Sequence, residues 1–206
     1  MQINIFQVDA FTDKSFKGNP AGVVPDARNL KDDQMQNIAK EMNLSETAFV
    51  IPISDELFQV RFFTPLCEVD LCGHATVATF FLLAKKGYIN SIRNGIKTVY
   101  QNTKAGKLAV NLKYVNGLVD KVFMEQTIPK DLGGVLDMDK LVQALGINKD
   151  DIGIAGEFVD PEIISTGLAD IILPLNKKET LDNLEIDMEE LSKLSEDNKV
   201  VGLHAV

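Results

Sequence analysis

The sequence predicts an α+β protein in two parts, with sheet dominating the first part and one helix buried at its centre. Three observations carry that prediction. Strand patterns crowd the chain up to residue 128, the segment after Gly73 is apolar on every side, and beyond Pro129 the pattern restarts with shorter helices and strands.

Taken in order, Ile3–Ala10, Gly22–Val24 and Glu46–Ile53 read as strands, and Leu57–Phe63 joins them because Phe58, Val60 and Phe62 share one face at a period of two. Lys31–Met42 reads as a helix, since Met35, Ile38, Ala39 and Met42 fall on one stripe. Residues 95–128 form a strand meander with turn signals at Lys104-Ala105-Gly106-Lys107 and Asn116-Gly117. The second part holds a helix at Met138–Leu145, strands at Glu162–Ser165 and Ala169–Pro174, a helix at Met188–Leu194 and a last strand at Lys199–Val206. The boundary is expected within residues 115–130, which divides the chain into domains 1–118 and 119–206. There is no low-complexity segment and no short-period repeat.

The helix after Gly73 is the most informative element. Ala75, Val77, Ala78, Phe80, Phe81, Leu82, Leu83 and Ala84 leave no polar face, so it is expected to be buried all round. Lys85 and Lys86 suit its C-terminal dipole and Gly87 can close it in the left-handed conformation. At the other end, the free N–H groups of Gly73, His74 and Ala75 point out of a buried helix start. The partial positive charge there favours a carboxylate or oxyanion.

Composition excludes several classes. With 206 residues and 45% apolar content the chain can build a real core. Its 30 Asp and Glu against 21 Lys and Arg give a net charge of −9, which opposes nucleic acids and anionic membranes. The start, MQINIFQVDAF, carries no secretory leader pattern and no apolar run is long enough to span a bilayer, so the cytoplasm is the expected location. Cys67 and Cys72 are too few for a disulfide framework or a structural zinc site, and no metal is expected.

The candidate chemistry lies in two stretches. In NLSETAFV a single carboxylate, Glu46, enters a strand of neutral residues, where partial burial would suit it to proton transfer; a solvated edge glutamate is the other reading. In EVDLCGHATVATFFL, Asp70 orients the loop, accepts from backbone N–H groups or orients His74, and Cys72 is either a small buried hydrophobe or a catalytic thiol.

Taken together, IFQVDAFTDKSFKGNPAGVV, NLSETAFV, RFFTP and EVDLCGHATVATFFL resemble the PhzF-like phenazine-biosynthesis family of the diaminopimelate-epimerase-like superfamily. The resemblance is strong up to about residue 85 and weaker through ISTGLADIILPL and KVVGLHAV. It implies two related domains, each a curved, mostly antiparallel sheet wrapped around a central helix. It also implies that Glu46 is the acid/base that moves a proton between carbons of a small unsaturated amino-acid-like substrate, with His74 hydrogen-bonding that substrate. The N–H groups of Gly73 and Ala75 would receive the substrate carboxylate, and Asn19 and Pro20 of GNP would shape the cleft; Asn19 and Asp70 are expected among the substrate-binding residues. No cofactor is implied.

Members of the family continue further and carry an E-D-P-A-T-G-S motif that this sequence lacks, so an incomplete second domain is expected, with open strand edges that favour a homodimer. Two other functions remain open. In related racemases a cysteine before Gly-His is a base, which Cys72 would match, and a non-catalytic carboxylate-binding or self-associating chain is the third reading.

Overall fold

The computed structural model describes residues 2–126 and 128–206. They form two compact units, Met1–Glu125 and Gln126–Val206.

The first unit contains β1 (Phe6–Ala10), β2 (Asn19–Val24), α1 (Asp32–Met42), β3 (Thr47–Ser54), β4 (Leu57–Phe63), β5 (Glu68–Val69), α2 (Gly73–Lys85), β6 (Gly95–Thr103), β7 (Gly106–Val115) and β8 (Leu118–Met124). Its strands run β1-β2-β3-β4-β6-β7-β8, with β5 added beside β4. The β2/β3 and β4/β6 pairs are parallel and the others antiparallel. Helix α2 packs against β1 and β2 at one end of this path and against β7 and β8 at the other. At about 4.8 Å per strand a flat sheet of this order would be roughly 29 Å wide, far more than one helix of about 10 Å covers. The sheet therefore curls around α2.

Strand alternation sorts the core. On β3, Ala48 and Val50 point inward to the α2 cluster, while Phe49 points outward to Met35 and Ala39 of α1. On β4, Phe58, Val60 and Phe62 join the inner cluster together, and Phe58 meets Phe80 of α2 edge to face at 5.7 Å. Because the strand is covered on both faces, the run Thr47–Val50 is wholly buried. Gly87 closes α2 at φ 81°, with the Tyr88 N–H donating to Leu83 O.

Burial of α2 is not uniform. Val77 and Phe81 are only half-buried and line a groove of about 520 Å³ whose other walls come from β1 and β8. The two ends of the curled sheet do not meet there, so the expected all-round burial stops short of this flank.

Several boundaries move for identifiable reasons. β2 begins at Asn19 instead of Gly22, because Asn19 and Pro20 pair with Ala10 and Asp9. β1 pairs only from Phe6. The strand expected to start at Glu46 begins at Thr47, although the Glu46 carbonyl still accepts the Gly22 N–H at 3.0 Å. β8 pairs with β7 from Val115↔Leu118 to Val110↔Met124. The expected boundary after residue 118 would cut that ladder, and the division falls after Glu125. Thr127, within the expected meander, lies outside the described residues.

The second unit contains β9 (Lys130–Gly134), α3 (Met138–Leu145), a 3-10 turn (Lys149–Asp151), β10 (Glu162–Ser165), β11 (Ala169–Leu173), α4 (Lys178–Asp182), α5 (Met188–Asn198) and β12 (Gly202–Ala205). Its sheet runs β12-β11-β10-β9, with β11/β12 parallel. Leu141 and Leu145 of α3 and Leu194 of α5 pack with Ile163, Ile171 and Leu173. α5 runs past the expected Leu194 because the Asn198 side chain donates back to Leu194 O and Lys199 closes the helix at φ 56°, which delays the last strand to Gly202. β9, the 3-10 turn and α4 are short elements that periodicity does not reveal. Among the described residues, no helix is long and apolar enough to cross a membrane.

Candidate functional site

Two close backbone approaches bring the site together. A Cβ on Gly22 would lie 2.6 Å from Thr47 Oγ1, so only glycine lets β2 approach β3 closely enough for its N–H to hold the Glu46 carbonyl. A Cβ on Gly18 would lie 2.2 Å from Ala10 O, which explains the glycine of GNP as a tight entry into β2. Asn19 follows it, exposed, opposite Ala10.

Glu46 and His74 lie together, and Cys72 joins them. His74 Nε2 is 3.4 Å from Glu46 Oε2 and 3.4 Å from Ser45 Oγ, while Nδ1 is 3.3 Å from Cys72 Sγ. The imidazole thus bridges a carboxylate and a thiol. Glu46 Oε2 is buried and has no hydrogen-bond partner among the described residues, the His74 Nε2 contact at 3.4 Å being long for a hydrogen bond. An orphaned, desolvated acceptor of this kind costs stability unless a ligand serves it.

Burial pushes the Cys72 thiol up to about 12, and the Glu46 carboxylate acts in the same direction against the N–H groups of Ala75 and His74. Cys72 is therefore a neutral thiol at ordinary pH. With a neutral imidazole, its S–H donates to Nδ1 and leaves the Nε2 proton facing Glu46 and Ser45.

Cys72 precedes α2 in extended conformation, and no side chain caps the helix. The first turn is closed by Thr76 instead, whose N–H and hydroxyl both donate to Cys72 O at 3.0 and 2.8 Å, with the buried Gln101 amide donating to that hydroxyl. Gly73, His74 and Ala75 occupy the positions whose N–H groups an α-helix leaves unpaired. Asp70 is exposed in the loop before this start, and its carbonyl accepts from Ala105 N at 3.4 Å.

An ion network that the residue patterns did not reveal anchors this loop. Arg61 on β4 holds Glu68 on β5 through Nε and Nη2 at 2.7 and 2.9 Å, reaches Asp32 at the start of α1, and Glu68 also accepts from Lys104 at 2.9 Å. These contacts hold the Glu68 carboxyl down to about 2. Ser45, directly before Glu46 in the sequence, is a further member of the cluster, its hydroxyl 3.4 Å from His74 Nε2.

The profile of the phenazine biosynthesis-like proteins (PhzC-PhzF) matches residues 8–206. The chain belongs to this family. An uncharacterized isomerase of Clostridium acetobutylicum is 38% identical over 98% of the chain, which spans 65% of that relative's length. The PhzF-family phenazine biosynthesis protein of Bacillus anthracis superposes with a TM-score of 0.81 at 30% identity, covering 100% of this chain and 68% of its own. A probable proline racemase of Agrobacterium radiobacter matches with a TM-score of 0.59 at 10% identity over 95% of the chain and 57% of its own length; that likeness is one of fold. The fold is thus the one this family shares with the racemase-like proteins, a curled sheet around a central helix.

Proposed function

We propose that the chain carries the acid/base half-site of a PhzF-like isomerase acting on a small unsaturated amino-acid-like carboxylate. The observation that carries this reading is the buried, unpartnered Glu46 Oε2, 3.4 Å from His74 at an uncapped helix start. The name isomerase borne by the Clostridium relative agrees with it. In this reading the Gly73 and Ala75 N–H groups receive the substrate carboxylate, His74 hydrogen-bonds the substrate, and Asn19 and Asp70 border it. Glu46 takes a proton from a carbon next to the double bond and returns it at the far end of the delocalised system. No electrons leave the substrate and no cofactor is required. Cys72 as the base is the second reading, favoured by its contact with His74 and opposed by a thiol held near 12.

The test is deuterium uptake from D2O into small β,γ-unsaturated amino or hydroxy acids. Glu46→Gln should lower exchange by roughly 10²–10⁴-fold with amide shifts of Gly73 and Ala75 on carboxylate binding retained, while Cys72→Ser exchanges nearly as the parent does. An active Glu46→Gln beside a dead Cys72→Ser would transfer the chemistry to the thiol. The partner reading is self-association through the terminal strands β1, β8, β9 and β12, which light scattering at micromolar concentration checks; a clean monomer would overturn it.

A further inference from the structure

We propose that Glu46, Cys72 and His74 form a binding site for a thiophilic divalent cation, best matched by zinc, and that the bound ion blocks the site. The first half stands on geometry alone; the second rests on the isomerase reading above.

One ligand atom from each of the three side chains lies within 4.8 Å of the other two. They come from two separate elements, the lead-in to β3 and the start of α2. Zinc binds sulfur at about 2.3 Å and nitrogen or oxygen at about 2.0–2.2 Å, so two ligands of one tetrahedral ion stand roughly 3.3–3.7 Å apart. The Sγ–Nδ1 separation of 3.3 Å and the Nε2–Oε2 separation of 3.4 Å each fall in that range, but through different nitrogens of His74. His74 bridges through different nitrogens, so binding requires the imidazole to reorient until one nitrogen faces both neighbours and the three ligand atoms to draw in from their 4.8 Å spread.

The donor set chooses the metal. Thiolate with imidazole and one carboxylate suits zinc or cobalt(II), whereas magnesium and calcium prefer oxygen alone. Three protein ligands leave the fourth position open to water or to a substrate carboxylate. The ion would also serve Glu46 Oε2, the buried acceptor that has no partner. The positive end of α2 opposes a cation, and the ion itself must displace the Cys72 proton, which passes to solvent as the sulfur coordinates. Cys67, exposed in the turn after β4 beside Thr64, lies outside the cluster.

Occupancy would stop proton transfer, because the metal takes up the Glu46 oxygen and the His74 nitrogen at once. The test uses the full chain, freed of metal with EDTA and titrated with cobalt(II) chloride and then zinc chloride. The expected result is one site per chain with a thiolate-to-cobalt charge-transfer band that zinc abolishes. Cys67→Ser should keep the band; Cys72→Ser should lose it and weaken zinc binding by more than about tenfold. As a check that needs no folded Cys72 variant, zinc should slow alkylation of Cys72 in the Cys67→Ser chain. The absence of a band, a band that survives Cys72→Ser, or alkylation indifferent to zinc would each overturn the site. Deuterium exchange separates the two readings: exchange that zinc stops and EDTA restores supports both, exchange untouched by bound zinc overturns the blocking role, and zinc binding without exchange under any condition removes the isomerase reading and leaves the metal site standing.

Discussion

The starts of α3 and α5 in the second unit differ from the start of α2 in the first. In the second, α3 begins at Asp137, whose carboxylate accepts the Lys140 N–H, and α5 begins at Asp187, which accepts from Glu189 and Glu190. In the first, α2 begins at Cys72 with no side-chain cap, although this helix is the most buried in the chain. A capped start is worth about 1 kcal/mol to a helix. Without it, Gly73, His74 and Ala75 stand at the positions whose N–H groups an α-helix leaves without an intrahelical partner, next to the contact of Glu46 with His74. The starts of α3 and α5 satisfy N–H groups with their own side chains, whereas α2 relies on its packing.

If packing is what holds α2, the largest effect should come from Phe80→Ala. It deletes a fully buried ring packed on Phe58 and should cost about 3–5 kcal/mol, read as a lower urea midpoint by far-ultraviolet circular dichroism. Leu191→Ala in α5, which is half-buried against its core, should cost less. Equal losses would mean that α2 is no more dependent on packing than its counterpart.

Acid should separate the units next. Glu68 is held near 2 in the folded first unit against an ordinary 4.5, so its contribution is complete above about pH 4.5 and is lost as the pH falls toward 2. The second unit has looser pairs, such as Lys193 with Glu189 and Glu190 on the exposed face of α5. Hydrogen exchange resolved by segment should show β4 and β5 losing protection over that window. Arg61→Met, which keeps the aliphatic stem, should flatten the loss; an unchanged profile would assign the acid response to other carboxylates.

The caps give the smallest and sharpest contrast. Asp187→Ala should lower stability by about 0.5–2 kcal/mol, while Cys72→Ser, which supplies a capping hydroxyl to α2, should leave stability unchanged or raise it slightly. A destabilised Cys72→Ser chain would show that the thiol's packing outweighs the vacant cap.

Local pattern determined much of this protein by itself. The alternation of Phe58, Val60 and Phe62, the apolar run from Ala75 to Ala84 and the stop at Gly87 are properties of neighbouring residues, and a period of two or 3.6 expresses them directly. The family motifs were legible for the same reason, being short and ordered. Tertiary structure decided what depends on residues far apart in the chain. It assigned β8 to the first sheet through its ladder with β7, brought Arg61, Glu68, Asp32 and Lys104 into one network, and opened a groove along Val77 and Phe81 where the curled sheet fails to close. Above all it set Glu46 against His74 and Cys72. Their separation in sequence carries no period, and they meet only when the fold brings the lead-in to β3 against the start of α2.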